Sequence, residues 1–137
     1  MSVINRLLLL LLACAAPLPA TPSDLPLKVG LIGLDTSHVI AFTGLLNDKD
    51  NPSHVPGATV TAAYRGGSVD IPASINRVRG FTTTLTEKYG VRIYEDIAKM
   101  CEEVDAILLT SLDGRTHLEQ VRPVLAAGKP VFIDKPL

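Results

Sequence analysis

The sequence predicts an α/β fold: a doubly wound parallel sheet with helices on both faces. Three observations carry this. From Leu27 onward, short apolar runs alternate with longer mixed segments. The runs LKVGLIGL (27–34) and DAILLT (105–110) are mostly apolar, as strands buried on both faces are. Gly90 and Gly128 each follow a segment of helical character, where helix-closing glycines sit. Strands and helices alternating at this pitch imply right-handed β-α-β units and parallel pairing.

The first 20 residues stand apart. MSVINRLLLLLLACAAPLPA holds one Arg, then a leucine run, then small residues and prolines. These are the three regions of a secretory signal peptide, which makes the protein exported, periplasmic or extracellular. The apolar run from Leu7 to Ala16 is about half of the roughly 20 residues a spanning helix needs. Two processing routes fit. Leu11-Leu12-Ala13-Cys14 resembles a lipobox, which would lipidate Cys14 and give the protein its one route to a membrane. Ordinary cleavage after Ala20 is the other. Residues 21–26 then form a linker, and the domain runs from 27 to 137. Either route leaves Cys101 as the single cysteine of the folded part, so no internal disulfide is expected.

The elements follow in order. Strands are expected at Leu27–Leu34, Ala58–Tyr64, Val91–Tyr94, Asp105–Thr110 and Val131–Ile133. A helix over Val39–Leu46 is opened by Asp35, Thr36 and Ser37, all N-cap residue types. Asn47–Gly57 and Arg65–Gly80 read as loops, Phe81–Tyr89 and Glu95–Glu103 as helices. The last helix, His117–Ala127, places Leu118, Val121, Val124 and Leu125 at helical spacing.

Charge excludes several function classes. Arg6 is the one charged residue among the first 20, so the remainder carries 12 basic and 14 acidic side chains, a net of −2. No field for nucleic acid follows from that, and 4% aromatic content with no Trp offers no stacking platform. His38, His54 and His117 match no compact metal-ligand spacing, and no cysteine pair assists them.

A strand that runs straight into a helix cap is where dinucleotide folds hold a pyrophosphate. Three stretches sharpen this: LKVGLIG at the first strand, VDAILLTSLDGRTH around the fourth, and AAGKPVFIDKPL at the fifth. Together they resemble the glucose-fructose oxidoreductase and inositol dehydrogenase (Gfo/Idh/MocA) family over roughly Leu27–Leu137. The resemblance implies a Rossmann-type domain that binds NADP or NAD. It implies a substrate pocket in a second α+β domain outside this chain, so turnover is not expected from the chain alone. It equates Asp134-Lys135-Pro136 with the family's Glu-Lys-Pro motif, and His117 with the histidine after the fourth strand. Lys135 and His117 are therefore the expected catalytic residues of an oxidoreductase acting on a sugar or polyol. An ammonium at Lys135 can stabilise the negative charge that develops on a hydroxyl during hydride transfer. The expected cofactor-facing residues are Gly33, Leu34, Asp35, Thr36, Ser37, Arg65, Ser111, Asp113, Asp134 and Lys135. The full-length parent leaves room for an oligomer.

Two departures from the family pattern bear on the cofactor. Aligned on G-x-G-x-x-G, the chain reads Gly33-Leu34-Asp35-Thr36-Ser37-His38, so only the first glycine survives. Asp35 places a carboxylate where backbone amides approach the pyrophosphate, and it could cap the helix itself. The second strand ends in Tyr64-Arg65 and not in the acid that accepts from a ribose hydroxyl, which favours NADP over NAD. The competing reading is a non-catalytic Rossmann binding module with a degenerate pyrophosphate site.

Overall fold

Five parallel strands form one sheet in the order β3-β2-β1-β4-β5, with β1 at Leu27–Ile32, β2 at Ala58–Tyr64, β3 at Arg92–Tyr94, β4 at Ala106–Leu109 and β5 at Val131–Ile133. The computed structural model describes residues 25–134. The expected signal peptide, most of the linker and Lys135 lie outside the described residues.

Alternation along β1 builds a core on each face. Val29 and Leu31 join Leu34, Val39, Leu85 and Val91 under helices α1 (His38–Asn47) and α2 (Pro72–Tyr89). Ile32 points the other way, into Met100, Val104, Ile107, Leu109 and Val124, beneath α3 (Ile97–Cys101) and α4 (His117–Ala126). Strand β2 serves both cores because Val29 pairs with Val60 but Gly30 pairs with Ala62. The extra residue, Thr61, is a bulge that turns Val60 to one face and Ala62 to the other. Gly30 leaves room here for Ile107 and Met100, since a Cβ on it would lie 2.8 Å from Ile107 Cδ1 and 3.2 Å from Met100 Cε and these side-chain ends would have to shift.

Two expectations need correction. Arg65–Gly80 is not a loop throughout, because α2 begins at Pro72 and runs 18 residues. Proline suits the first helical turn, where its missing N–H is not needed. Gly80 and the polar Ser74 disguise the first part of the helix in sequence. Yet Ser74, Val78, Phe81 and Leu85 face inward at helical spacing, while Thr82, Thr84 and Thr86 bond back to carbonyls four residues earlier. Gly90 closes the helix at φ 68°, and Val91 N–H reaches Leu85 O over 3.0 Å. The second correction is α3, shorter than Glu95–Glu103 because Asp96 caps it by accepting from Lys99 N–H at 2.9 Å.

Candidate functional site

The order of strands reverses between β1 and β4, so the crevice at their carboxyl ends is the switch point of the sheet. Gly33 shapes its floor. At φ 88° it leaves β1 in a conformation that L side chains avoid, and a Cβ there would lie 2.5 Å from Ser111 N. Thr110 fixes the same turn from the β4 side, donating its hydroxyl to Gly33 O at 2.9 Å. On the β2 side, Leu34 N–H donates to Arg65 O at 2.7 Å.

Asp35 does not cap α1. The α1 N-cap, Ser37, has no side-chain cap bond, and His38 N–H reaches Thr36 Oγ1 at 3.3 Å. The Asp35 carboxylate is 1% exposed and turns to neighbouring loops instead. It accepts from Ser74 Oγ at 2.6 Å and from Leu112 N–H at 3.0 Å. Burying a carboxylate is costly unless such donors meet it, so Asp35 ties α2 and the β4–α4 loop to the end of β1. The backbone N–H groups of Thr36 and Ser37 carry no hydrogen bond among the described residues, and they open a ten-residue helix.

Beside this turn lies an open cleft of about 450 Å³ over the ends of β2 and β3. Tyr64, Ile97 and Pro123 give it apolar walls, Gly66 and Gly67 one edge, and Glu95, Asp96, Thr116, Glu119 and Gln120 its polar groups. Gly66 and Gly67 both have positive φ, 60° and 100°, which lets this backbone pass close to Gly33 and Val78. Arg65 stands at the edge of this region, where its guanidinium pairs with Glu95.

The fourth-strand loop is stitched to itself. Ser111 Oγ donates to Gln120 Oε1 at 2.7 Å. His117 is buried, with Nε2 2.7 Å from Ser111 O. A carbonyl only accepts, so Nε2 carries the proton and the buried Nδ1 has no partner among the described residues. Asp113 is buried too, and accepts from Ser68 Oγ at 2.6 Å and from Arg115 Nε at 2.9 Å. The Arg115 guanidinium and the Ser68 hydroxyl hold the Asp113 carboxyl well below the usual carboxylate range. A depressed folded-state pKa contributes stability that is complete above about pH 4 and fades as pH falls below it. Asp113→Asn should therefore flatten the acid limb of a melting-temperature profile; a limb as steep as the wild type's would contradict this.

Asp134 ends β5, where its N–H donates to Leu109 O at 2.9 Å and its carboxylate pairs with His38 Nδ1. The expected residues thus fall into three places. Gly33, Asp35, Ser111 and Asp113 meet over the end of β1, Arg65 stands beside the cleft, and Asp134 joins the start of α1. The three histidines have separate surroundings, His54 being bonded to Leu45 O at 3.0 Å. Sequence reasoning passed over Ser68, Ser74, Glu95 and Gln120. The pair Gly66-Gly67 directly after a strand was the available signal for the first two.

An all-parallel sheet with a glycine turn, open amides at a helix start and a cleft at the switch point defines a dinucleotide-binding domain. The chain belongs to the oxidoreductase family with an NAD-binding Rossmann fold, whose family model matches residues 56–137. Inositol 2-dehydrogenase from Paracoccus denitrificans is 31% identical over 113 residues, which cover 81% of this chain and 29% of that protein. Inositol 2-dehydrogenase from Klebsiella pneumoniae is 33% identical over 116 residues, with the same coverage of 81% and 29%. Among solved structures, apo scyllo-inositol dehydrogenase from Lactobacillus casei matches with a TM-score of 0.54 and 30% identity, over 81% of this chain and 28% of that one. The chain spans about 29% of the length of these curated relatives.

The residues present fit the adenosine part of a dinucleotide. The cleft has apolar walls for an adenine ring and carboxylates at Glu95 and Asp96 that can accept from ribose hydroxyls. The fit is weaker at the pyrophosphate, where the Thr36 and Ser37 amides are open but two buried carboxylates, Asp35 and Asp113, stand close by.

Proposed function

We propose that this chain is the cofactor-binding half of an exported oxidoreductase whose whole protein oxidises or reduces a polyol or sugar-type hydroxyl. The observation that carries the reading is the cleft beside the Gly33 turn at the ends of β2 and β3. The substrate class follows from the relatives, since inositol is a cyclic polyol. When bound, the nicotinamide supplies the hydride chemistry. The chain's residues hold the adenosine in the cleft and offer the Thr36 and Ser37 amides to the phosphates. Asp134 stands at the end of β5 and His117 shapes the loop after β4, while Lys135 is by resemblance alone the residue that serves the nicotinamide end.

Arg65 favoured NADP when read alone, and its pairing with Glu95 alters that balance. A 2′-phosphate would have to win the guanidinium from Glu95, whereas a ribose hydroxyl can use the carboxylate as it stands. We infer that NAD is the preferred cofactor and that Glu95 sets the preference. Glu95→Gln should shift the NADPH-to-NADH affinity ratio toward NADPH by about tenfold, the size of one freed charge-assisted contact. Calorimetric titration reads this directly, and an unchanged ratio would remove Glu95 from the account.

Export rests on the Met1–Ala20 pattern, and no helix of the described residues is long and apolar enough to cross a membrane. Mass spectrometry of the processed protein should find Thr21 or a lipidated Cys14 at the N-terminus. An intact Met1 in the recovered protein would count against it.

The buried Asp35 favours a second reading, a Rossmann module that binds a ligand without turning it over. Retention of NADH by the full-length parent together with activity lost in Lys135→Ala would decide for the enzyme.

A further inference from the structure

Strands β2 and β4 flank β1, so any bond between the loops that follow them crosses over the end of β1. One such bond is present. Ser68 Oγ, in the β2–α2 loop, donates to Asp113 Oδ2 in the β4–α4 loop over 2.6 Å, and both residues are buried. Asp35 braces the same junction through Ser74 Oγ and Leu112 N–H, and Ser74 Oγ in turn accepts the Ser68 N–H at 2.8 Å. From the solvent side Arg115 grips Asp113 and reaches Asp70 of the β2–α2 loop at 2.8 Å. Three loops are thus joined through two buried carboxylates and two serine hydroxyls.

A dinucleotide whose adenosine lies in the cleft must carry its pyrophosphate across the end of β1 to bring nicotinamide toward β4 and β5. That is the passage this junction spans. We propose that the Ser68–Asp113 bond is a strap over the passage, and that Ser68 and Asp113 thereby determine which ligands the site accepts. An adenosine enters the cleft with the strap in place. A dinucleotide has to part it and bring phosphate charge beside Asp35 and Asp113, so its phosphates and nicotinamide add little affinity in the wild-type chain. This inference rests on the reading of the cleft as the adenosine site.

The test is calorimetric titration of the chain with adenosine and with NADH, in the wild type, Ser68→Ala and Ser68→Thr. The wild type should bind adenosine at least as tightly as NADH. Ser68→Ala deletes a hydrogen bond to a carboxylate, so it should tighten NADH by roughly tenfold while adenosine changes less than about twofold. Ser68→Thr keeps the hydroxyl and should behave as the wild type. Unchanged or weaker NADH binding in a folded Ser68→Ala protein overturns the strap. Should that variant not fold, wild-type NADH binding roughly tenfold tighter than adenosine overturns it equally. Binding of neither ligand by folded wild type would instead sink the cofactor reading on which the strap rests.

Discussion

Asp35→Gly is expected to lower stability by about 2–4 kcal/mol, although it restores the glycine that a dinucleotide fingerprint carries at this position. The Asp35 carboxylate is the acceptor for the part-buried Leu112 N–H and the buried Ser74 Oγ. Deleting it leaves two donors facing a small void, and a buried donor without an acceptor costs about 1–3 kcal/mol. The glycine also widens the conformational freedom of the unfolded chain, which adds a few tenths to one kcal/mol in the same direction. Chemical denaturation measures this. A variant as stable as the wild type, binding NADH more tightly, would mean that Asp35 obstructs the cofactor without supporting the fold.

The second large effect is expected at Gly33. An alanine there must adopt φ near 88° and place its Cβ 2.5 Å from Ser111 N, a backbone atom of the neighbouring strand end. Neither partner can step aside cheaply. Ser111 is fixed by its bond to Gln120, and Gly33 is held by Thr110 on one side and by Tyr64 O, at 3.1 Å, on the other. Left-handed backbone alone costs an alanine about 1–2 kcal/mol, and the clash brings Gly33→Ala to roughly 3–5 kcal/mol. Gly80→Ala is the control. Its Cβ meets nothing within 4 Å on an exposed face of α2, so the change should stabilise the helix by about 0.5–1 kcal/mol. Similar losses at both positions would show that the Gly33 turn imposes no special constraint.

The sheet was legible because its strands are short apolar runs whose local pattern suffices. The reading Ala58–Tyr64 for β2 matches the structure at both ends. The expected strand Leu27–Leu34 is two residues longer than β1, since Gly33-Leu34 continues the apolar run while Gly33 leaves the strand through its positive φ. The first part of α2 was missed because its inward stripe begins at a serine, and Ser74 is buried for its hydrogen bonds to Asp35 and Ser68. No hydropathy pattern marks such a residue.

The site divides in the same way. Strand ends and the Gly33 turn follow from local sequence, and so does the crevice between β1 and β4. The partners of the charged residues do not. Arg65 meets Glu95 from 30 residues away, Asp35 meets Ser74 from 39 and Leu112 from 77, and Ser68 meets Asp113 from 45. Each pairing depends on which strands the sheet sets side by side. A carboxylate that resembled a phosphate competitor in sequence is in the fold a structural tie.

The most direct test of the central claim is to map where NADH touches the 15N-labelled chain by amide chemical shifts. Binding in the cleft predicts the largest perturbations at Gly66, Gly67, Ala98, Thr116 and Gln120, with Thr36 and Ser37 responding as the phosphates arrive. A folded chain whose amides stay unmoved at saturating NADH, or move only around Phe42, Val55 and Phe132 on the opposite apolar groove, would contradict a cofactor site in this cleft.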